Sequence, residues 1–301
     1  MNNPNKIIMV RPAHFGFNAE TSNSNKFQNK DESLYSHELA VQEFDQMVDL
    51  LKARNLNVCV IKDTPFPMKP DAIFPNNWVS FHPDGRSIFY PMEAKNRRFE
   101  RRKDLFDFVE SYDVNQLLNL TSFEDVNQFL EGTGSIIFDN TAKKAYCAES
   151  SRSNIHLFEH LCSIIQFRPI SFSACDFNGF PIYHTNVMLS IGDHIAVVCL
   201  ESIENQLERA LVLSSLQATN RVIIEVDLKQ MNQFAANCLE VNDTGGVAKL
   251  IMSKTAYNAF TVEQIQSMEA KVDLIMVNIP TIERIGGGSA RCMLLGVFEH
   301  Y

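Results

Sequence analysis

The sequence predicts an α/β fold in which five repeated β-β-α-β units close into a ring, a five-bladed α/β propeller. Two observations predict it. Pairs of apolar, β-branched-rich runs flank short turn sequences, which is the pattern of β-hairpins. These turns recur roughly every 50 residues, a spacing that indicates an internal structural repeat. Because each unit would pack against its neighbours, a ring closed by the two chain ends is expected to leave no open sheet edge.

Four of the units follow one another along the chain. Each has a hairpin, then a stretch whose apolar spacing fits a helix with one buried face, then a further strand. The predicted hairpins pair residues 78–82 with 87–90, 135–138 with 144–147, 187–191 with 195–200, and 238–241 with 247–252. The predicted helices cover 98–111, 153–165, 204–216 and 261–271, and later strands cover 167–172, 221–226 and 273–278. Phe99, Leu105, Phe106 and Val109 are expected on the buried face of the first helix, and Thr261 with Gln264 could form a capping box.

The fifth unit is predicted from the two ends of the chain. Residues 293–298 would pair with residues 6–10, followed by a helix over 36–54 and a strand over 56–61. We therefore expect residues 1–301 to form one catalytic domain. The alternative is an α+β fold in which the similar spacings are coincidental, and the sequence alone leaves it open.

Composition narrows the classes of function. The chain has 301 residues and a formal net charge of −9, so a surface that follows nucleic-acid phosphates is not expected. Its seven cysteines are scattered without a C-x-x-C pair, which favours free thiols in a reducing compartment. The first residues lack the apolar core of a signal peptide, and no apolar run has the length of a membrane span. We expect a cytoplasmic protein with neither nucleic acid nor membrane as partner, and the sequence leaves an oligomer open.

Four polar or glycine-rich segments lie at equivalent points, each directly before the first strand of a hairpin. A ring of repeats would bring such segments together at a central mouth. Hydrolysis through a thiol needs a nucleophile, a proton carrier and an orienting carboxylate, and three of these segments hold a cysteine, a histidine and a glutamate. The segments are residues 70–78, 130–135, 183–186 and 286–293.

Cys292 is the candidate nucleophile, His184 the candidate acid and base, and Glu131 their candidate carboxylate partner. Three glycines and Arg291 precede Cys292, so backbone N–H groups can approach a ligand and a cation favours the thiolate. The alternatives are a buried structural cysteine, a hydrogen-bonded structural histidine and an exposed loop acid. His156 and His160 have helical i,i+4 spacing but no supporting carboxylate cluster, so no metal site is predicted.

The residues Glu131-Gly, His184-x-Asn and Gly-Gly-x-x-x-Arg-Cys-Met around Cys292 resemble those of the guanidine-modifying (pentein) superfamily. The closest resemblance is to citrulline-utilization hydrolases and amidinotransferase-related proteins, through the runs MVRPAHFGFNAET, PDAIFPNNWVSFH and GGGSARCMLLGVFE. The resemblance implies that Cys292 attacks the central carbon of the substrate, that His184 transfers protons, and that Glu131 holds nitrogens. It implies a small-molecule substrate and no metal or organic cofactor.

Two departures from the superfamily pattern bear on the substrate. Deiminases typically carry Asp in the loop that matches residues 74–77 and in the motif that matches residues 184–186, and Asn occupies both places here. A guanidinium only donates hydrogen bonds, whereas a ureido group also accepts them, so amide side chains suit the ureido group better. The sequence therefore favours citrulline, or an enzyme that completes both hydrolyses of an arginine derivative. The candidate substrate-binding residues are Asp71, Asn76, Asn77, Asn186, Gly288, Arg291 and Arg11.

Three further readings stay open at this point. The same superfamily contains arginine deiminases and dihydrolases, and it contains amidinotransferases, in which an amine outcompetes water at the covalent adduct. It also contains binding proteins without the catalytic cysteine, and the presence of Cys292, His184 and Glu131 argues against that reading. Backbone N–H groups of residues 286–289 are candidates to stabilise developing negative charge.

Overall fold

The structure, a computed structural model, describes residues 2–30, 35–109, 112 and 116–299. Within these residues, fifteen strands form five separate sheets of three strands each. The strands are β1 Lys6–Arg11, β2 Val58–Lys62, β3 Val79–Phe81, β4 Ser87–Phe89, β5 Leu117–Asn119, β6 Ile137–Asp139, β7 Lys144–Ala148, β8 Arg168–Phe172, β9 Leu189–Ile191, β10 Ile195–Val198, β11 Val222–Glu225, β12 Leu239–Asn242, β13 Ala248–Ser253, β14 Asp273–Val277 and β15 Leu295–Val297.

All five sheets have the same internal topology. The middle strand pairs antiparallel with one neighbour, through a hairpin in four of the sheets, and parallel with the strand that follows the connecting segment. In the fifth sheet β1 is the middle strand, with Lys6 opposite Val297 of β15 and Ile8 opposite Cys59 of β2. The predicted pairing of the two chain ends is therefore confirmed.

The helices pack against these sheets through one apolar face. The helix Ser36–Ala53 buries Phe44, Met47 and Leu51, and the side chain of Asn154 caps the N-terminus of the helix Ile155–Ile165. The capping box predicted for Thr261 and Gln264 is present at the start of the helix Val262–Glu269. The helices are α1 Ser36–Ala53, α2 Gly132–Ser135, α3 Ile155–Ile165, α4 Gln206–Gln217, α5 Leu228–Asn232, α6 Lys254–Ala259, α7 Val262–Glu269 and α8 Pro280–Gly286. None of the helices in the described residues is long and apolar enough to cross a membrane.

The helix predicted over residues 98–111 is wrong. Two short 3-10 helices, Asn96–Glu100 and Lys103–Phe108, occupy most of that stretch, and residues 110 and 111 lie outside the described residues. Phe99, expected in the core, is 60% exposed, although Leu105 is buried. The guanidiniums of Arg98, Arg101 and Arg102 donate to backbone oxygens of Met92, Tyr90 and Lys62, all outside the predicted helix. These tertiary contacts hold the segment in short 3-10 turns.

The expectation that closure removes open sheet edges is also wrong, because the five sheets stay separate and each keeps two outer strands. The sheets nevertheless share a space. A cavity, which we call the strand cavity, is lined by the first strand of every sheet. These strands contribute Phe81 from β3, Ile137 from β6, Ile191 from β9, Leu239 from β12 and Leu295 from β15.

Candidate active site

Residues from the predicted segments meet around a second, smaller cavity. This space, which we call the thiol cavity, lies at loops that directly precede the first strands of the sheets. His184 precedes the 3-10 turn before β9, and Cys292 lies in the 3-10 turn before β15. The lining residues are Asn25, Asp71, Phe74, Asn77, Arg97, Arg152, Tyr183, His184, Gly286, Gly288 and Cys292. The structure thus brings the candidate nucleophile and the candidate proton carrier to one cavity.

The imidazole of His184 is buried and is oriented by Glu131. Its Nε2 lies 2.8 Å from Oε2 of Glu131, so the ring is held by the carboxylate. Burial lowers the pKa of His184 to about 4, although the hydrogen bond and charge of Glu131 act in the opposite direction. The ring is therefore neutral near pH 7 and can accept a proton.

The carboxylate of Glu131 is fully buried yet remains ionised. Burial by itself would raise its pKa, but the guanidinium of Arg152 and the bonded ring of His184, together with the charge of Arg97, lower the pKa of Glu131 to about 2. Nη1 of Arg152 lies 3.6 Å from Oε2, and the backbone N–H of Glu93 donates to Oε1 over 3.1 Å. A fixed negative charge behind His184 would stabilise an imidazolium formed during reaction.

The sulfur of Cys292 is in contact with two asparagine side chains. Nδ2 of Asn186 lies 3.5 Å from Sγ and Nδ2 of Asn237 lies 3.4 Å from it. Asn237 also donates to the backbone oxygen of Asn186 and accepts from the backbone N–H of Arg291. Cys292 is only 5% exposed. Asn237 therefore ties two loops together at the sulfur, and both amides are placed to donate to a thiolate.

Two glycines allow the Glu131 loop to pack against its neighbours. Gly132 has a φ of +52°, and a Cβ there would collide with the backbone oxygen of Asn76. A Cβ on Gly134 would collide with Nδ2 of Asn77 and lie 2.9 Å from Nδ1 of His184. The Gly-Thr-Gly sequence after Glu131 is therefore required by the close approach of the loops.

Three buried polar atoms at the site have no hydrogen-bond partner among the described residues: Oδ1 of Asp71, Nδ2 of Asn76 and Oδ1 of Asn186. Asp71 lines the thiol cavity, and its other oxygen accepts from Asn18. Two of the free atoms are acceptors and one is a donor. Asn186 contacts the sulfur of Cys292, and Asn76 is the chain neighbour of the wall residue Asn77 but is not itself in the cavity wall. Because buried polar atoms are normally satisfied, these free atoms are candidate contacts for a polar ligand.

The remaining candidates lie in different places. Gly288 lines the thiol cavity, and Asn77 lines it while accepting from the guanidinium of Arg97 over 2.7 Å. Arg11 forms a bidentate ion pair with Asp45 and is not part of the wall of the thiol cavity. Arg291 lines the strand cavity instead.

Three residues of the site were missed at the sequence level: Asn237, Arg97 and Arg152. Asn237 lies directly before the fourth hairpin. A polar segment is predicted at this position in the other four units but not in the fourth, so the position in the repeat is the signal that could have identified Asn237. Arg97 is paired with Glu100 over 2.8 Å and Arg152 lies 5.0 Å from the ring centre of Tyr183. No pattern in the sequence separates these buried arginines from solvated ones.

The described residues contain no group of three metal-binding side chains arranged to hold an ion. All seven cysteines are free thiols, and burial raises the pKa of Cys238 to about 12.

Comparison with known proteins places this arrangement in a family. A family model described as N,N dimethylarginine dimethylhydrolase, eukaryotic, matches residues 11–299. No match was found among curated proteins. Among solved structures, the chain is similar to the substrate-bound N-terminal domain of ArgZ, an arginine dihydrolase from the ornithine-ammonia cycle in cyanobacteria. The TM-score is 0.76 at 18% identity, with 98% of each chain covered.

Two more solved structures show the same fold. A dimethylarginine dimethylaminohydrolase adduct with S-methyl-L-thiocitrulline has a TM-score of 0.68 at 15% identity, covering 97% of this chain and 99% of the other. A complex of AgrE with L-arginine has a TM-score of 0.74 at 16% identity, with 98% of this chain and 40% of AgrE covered. Full-length ArgZ is likewise longer, and 41% of it is covered.

The depressed pKa of His184 predicts how stability depends on pH. In the unfolded chain the imidazole takes up a proton near pH 6.5, whereas in the folded protein it stays neutral to about pH 4. Between these pH values the unfolded chain binds a proton that the folded protein does not bind. The free energy of unfolding is therefore highest, as far as this group is concerned, above pH 6.5, and it falls as the pH falls towards 4. In His184→Asn, the fall in unfolding free energy between pH 6.5 and 4 should be smaller by about 3 kcal/mol.

Denaturant titrations across this pH range measure the effect. Buried His82, whose pKa burial also lowers to about 4, should keep part of the fall in the variant. His156→Asn, on the exposed face of α3, is the control for losing one imidazole. Identical pH curves for His184→Asn and the wild type would show that His184 does not stay neutral on folding.

Asn237 should control the reactivity of Cys292. In Asn237→Ala the sulfur loses one amide donor and the loops lose their link, so alkylation of Cys292 by iodoacetamide should slow about tenfold. Peptide mapping separates Cys292 from the other six thiols. Asn205→Ala, which removes the cap of the distant helix α4, is the matched control and should leave the rate unchanged. Equal alkylation rates in Asn237→Ala and the wild type would show that Asn237 does not control the reactivity of Cys292.

Proposed function

We propose that this chain, which belongs to the N,N dimethylarginine dimethylhydrolase family of the guanidine-modifying (pentein) superfamily, is a cysteine-dependent hydrolase. It would cleave C–N bonds of a ureido or guanidino group on a small amino-acid-like substrate. The observation that carries the proposal is that Cys292 and a neutral, carboxylate-bound His184 line one buried cavity.

The proposal includes the architecture. Residues 1–301 would form one catalytic domain whose five units close into a propeller. The strand cavity, which the first strands of all five sheets line, supports this ring. The confirmed pairing of β1 with β15 supports closure through the chain ends.

The first half of the reaction forms a covalent adduct. His184 takes the proton of the Cys292 thiol, and the sulfur adds to the central carbon of the substrate, forming a C–S bond. The amides of Asn186 and Asn237 contact the sulfur and would stabilise the thiolate before attack. The imidazolium of His184 then gives its proton to the departing nitrogen as the C–N bond breaks. Glu131 stabilises the imidazolium throughout.

Water completes the reaction. His184, neutral again, removes a proton from a water molecule whose oxygen adds to the carbon of the adduct. The C–S bond breaks and the sulfur of Cys292 leaves as the thiolate, which regains its proton from His184. A guanidino substrate would give a ureido product, and a ureido substrate would give a carbamate that loses carbon dioxide. An amidinotransferase would need an amine in place of this water.

The unpartnered atoms at the site favour a ureido substrate. Oδ1 of Asp71 and Oδ1 of Asn186 can accept from N–H groups, which guanidino and ureido groups both have. The free Nδ2 of Asn76 can donate only to an acceptor, and the ureido oxygen supplies one. This combination suits citrulline, or an arginine derivative that passes through a ureido intermediate to a second hydrolysis.

The relatives suggest which arginine derivatives to test. The family description suggests N,N-dimethylarginine, and the solved arginine dihydrolase suggests arginine itself. Arg97 and Arg152 line the thiol cavity, so they are better placed for a substrate carboxylate than Arg11 or Arg291.

A substrate panel tests the function. The enzyme should release ammonia and ornithine from citrulline without added amine, and any arginine or N,N-dimethylarginine that reacts should also end as ornithine. Cys292→Ser should abolish turnover, because the thiol makes the bond to carbon, while Cys175→Ser at a half-buried thiol outside the site should keep it.

Chromatography of ornithine, citrulline and amines reads out the panel. Citrulline that accumulates as the end product would contradict the ureido preference. Turnover by Cys292→Ser would contradict the covalent mechanism. Product formation only when an acceptor amine is added would identify an amidinotransferase.

A further inference from the structure

The strand cavity is a second internal space beside the site described above. It shares no lining residue with the thiol cavity. It is also larger than the thiol cavity. One residue from each wall is adjacent in the chain: Arg291 lines the strand cavity and Cys292 lines the thiol cavity.

Arg291 is a partly buried cation without a carboxylate partner among the described residues. Its one hydrogen bond from the guanidinium goes from Nη1 to the backbone oxygen of Leu294 over 2.9 Å. By contrast, the buried guanidiniums of Arg97, Arg152 and Arg221 each lie beside a carboxylate. Burial lowers the pKa of Arg291 to about 10, against the effect of the nearby thiols of Cys292 and Cys238. An unpaired guanidinium facing a cavity favours an anion there.

Most other polar groups of this cavity have hydrogen-bond partners within the protein, but the buried Oδ1 of Asn140 has none among the described residues. Oγ of Ser80 lies 2.8 Å from Nε2 of His82, and burial keeps that ring neutral by lowering its pKa to about 4. Oγ of Ser190 lies 3.0 Å from the sulfur of Cys238, and Thr133 donates to the backbone oxygen of Asn76. A ligand therefore finds one cation, Arg291, and one free buried acceptor, Oδ1 of Asn140.

The rest of the lining is apolar, from the five first strands and their neighbours, including Phe81, Phe138, Ile191 and Leu239. We propose that the strand cavity binds a small monocarboxylate with an aliphatic or aromatic body, whose carboxylate pairs with Arg291. A single cation does not neutralise a phosphate dianion. A sugar has several hydroxyl groups, and the wall has too few free hydrogen-bonding groups to pair with them.

A carboxylate bound there would act on Cys292. The backbone N–H of Arg291 donates to Oδ1 of Asn237 over 3.1 Å, and Nδ2 of Asn237 lies 3.4 Å from Sγ of Cys292. Pairing Arg291 with an anion removes a positive charge from the surroundings of the sulfur, and the thiolate becomes less favourable. The bound carboxylate should therefore slow the reaction of Cys292 without occupying the thiol cavity.

Calorimetric titration with 3-methylbutanoate and with benzoate tests the site. The neutral 3-methylbutanamide, of the same shape, should bind at least about tenfold more weakly because it lacks the charge. Arg291→Met should lose about tenfold in carboxylate affinity, and Arg291→Lys should recover part of it. Ile191→Trp, which fills the cavity from β9, should block binding with the charge still in place. Thermal unfolding shows whether each variant folds.

The outcomes separate this site from the proposed reaction. Cys292→Ser should bind both carboxylates as the wild type does, so the test does not depend on turnover. In the wild type the carboxylate should slow alkylation of Cys292, and in Arg291→Met it should not. Unchanged affinity in folded Arg291→Met, equal binding of the amide, or loss of carboxylate binding in Cys292→Ser would overturn the proposal.

Discussion

The site depends on a carboxylate that stays ionised in the interior. Glu131 is fully buried, and such a charge is tolerated only where cations and hydrogen-bond donors converge on it. Arg152, His184 and the backbone of Glu93 supply them. Because Glu131 holds Nε2 of His184, the ring has one orientation, and because the ring is buried it is neutral at the pH where a base is needed. The compensation of the buried charge and the orientation of the imidazole are thus parts of one arrangement.

The repeat explains how residues far apart in sequence reach this arrangement. In each unit the loop before the first strand points to the same region, so each unit can contribute one or two side chains. The first supplies Asn77, the second Glu131, the third His184, the fourth Asn237 and the fifth Cys292. The loops approach so closely that glycine is required at residues 132 and 134.

Much of this was accessible from the sequence because hairpins have local signals. Turn residues and alternating apolar runs predicted every strand except β5 to within a few residues, and the chain-end pairing followed from completing the repeat. The prediction failed over residues 98–111, where apolar spacing suggested a helix. There the arginine side chains bond to groups outside the segment, a tertiary effect that spacing does not encode. Whether neighbouring sheets join is likewise decided by packing between units, which the apolar pattern within one unit does not encode, and here the five sheets stay separate.

The site was predicted unevenly, for physical reasons. Cys292, His184 and Glu131 stand beside glycines or at equivalent repeat positions, and the structure places Cys292 and His184 at one cavity, with Glu131 bonded to the ring. Arg97 and Arg152 were missed because burial of an arginine depends on which carboxylates the fold brings to it. Arg291, by contrast, was predicted to bind substrate because it is next to Cys292 in the chain, but the side chain of Arg291 lines the strand cavity.

The central claim is that Cys292 becomes covalently bonded to the carbon of the substrate. Acid quenching within the first turnover, followed by mass spectrometry of the intact protein and its peptides, tests it directly. We expect a mass increase, equal to the substrate carbon group left after loss of one nitrogen, on the peptide that holds Cys292 and on no other cysteine. Steady turnover with an unmodified Cys292 at every quench time, and undiminished turnover in Cys292→Ser, would contradict it.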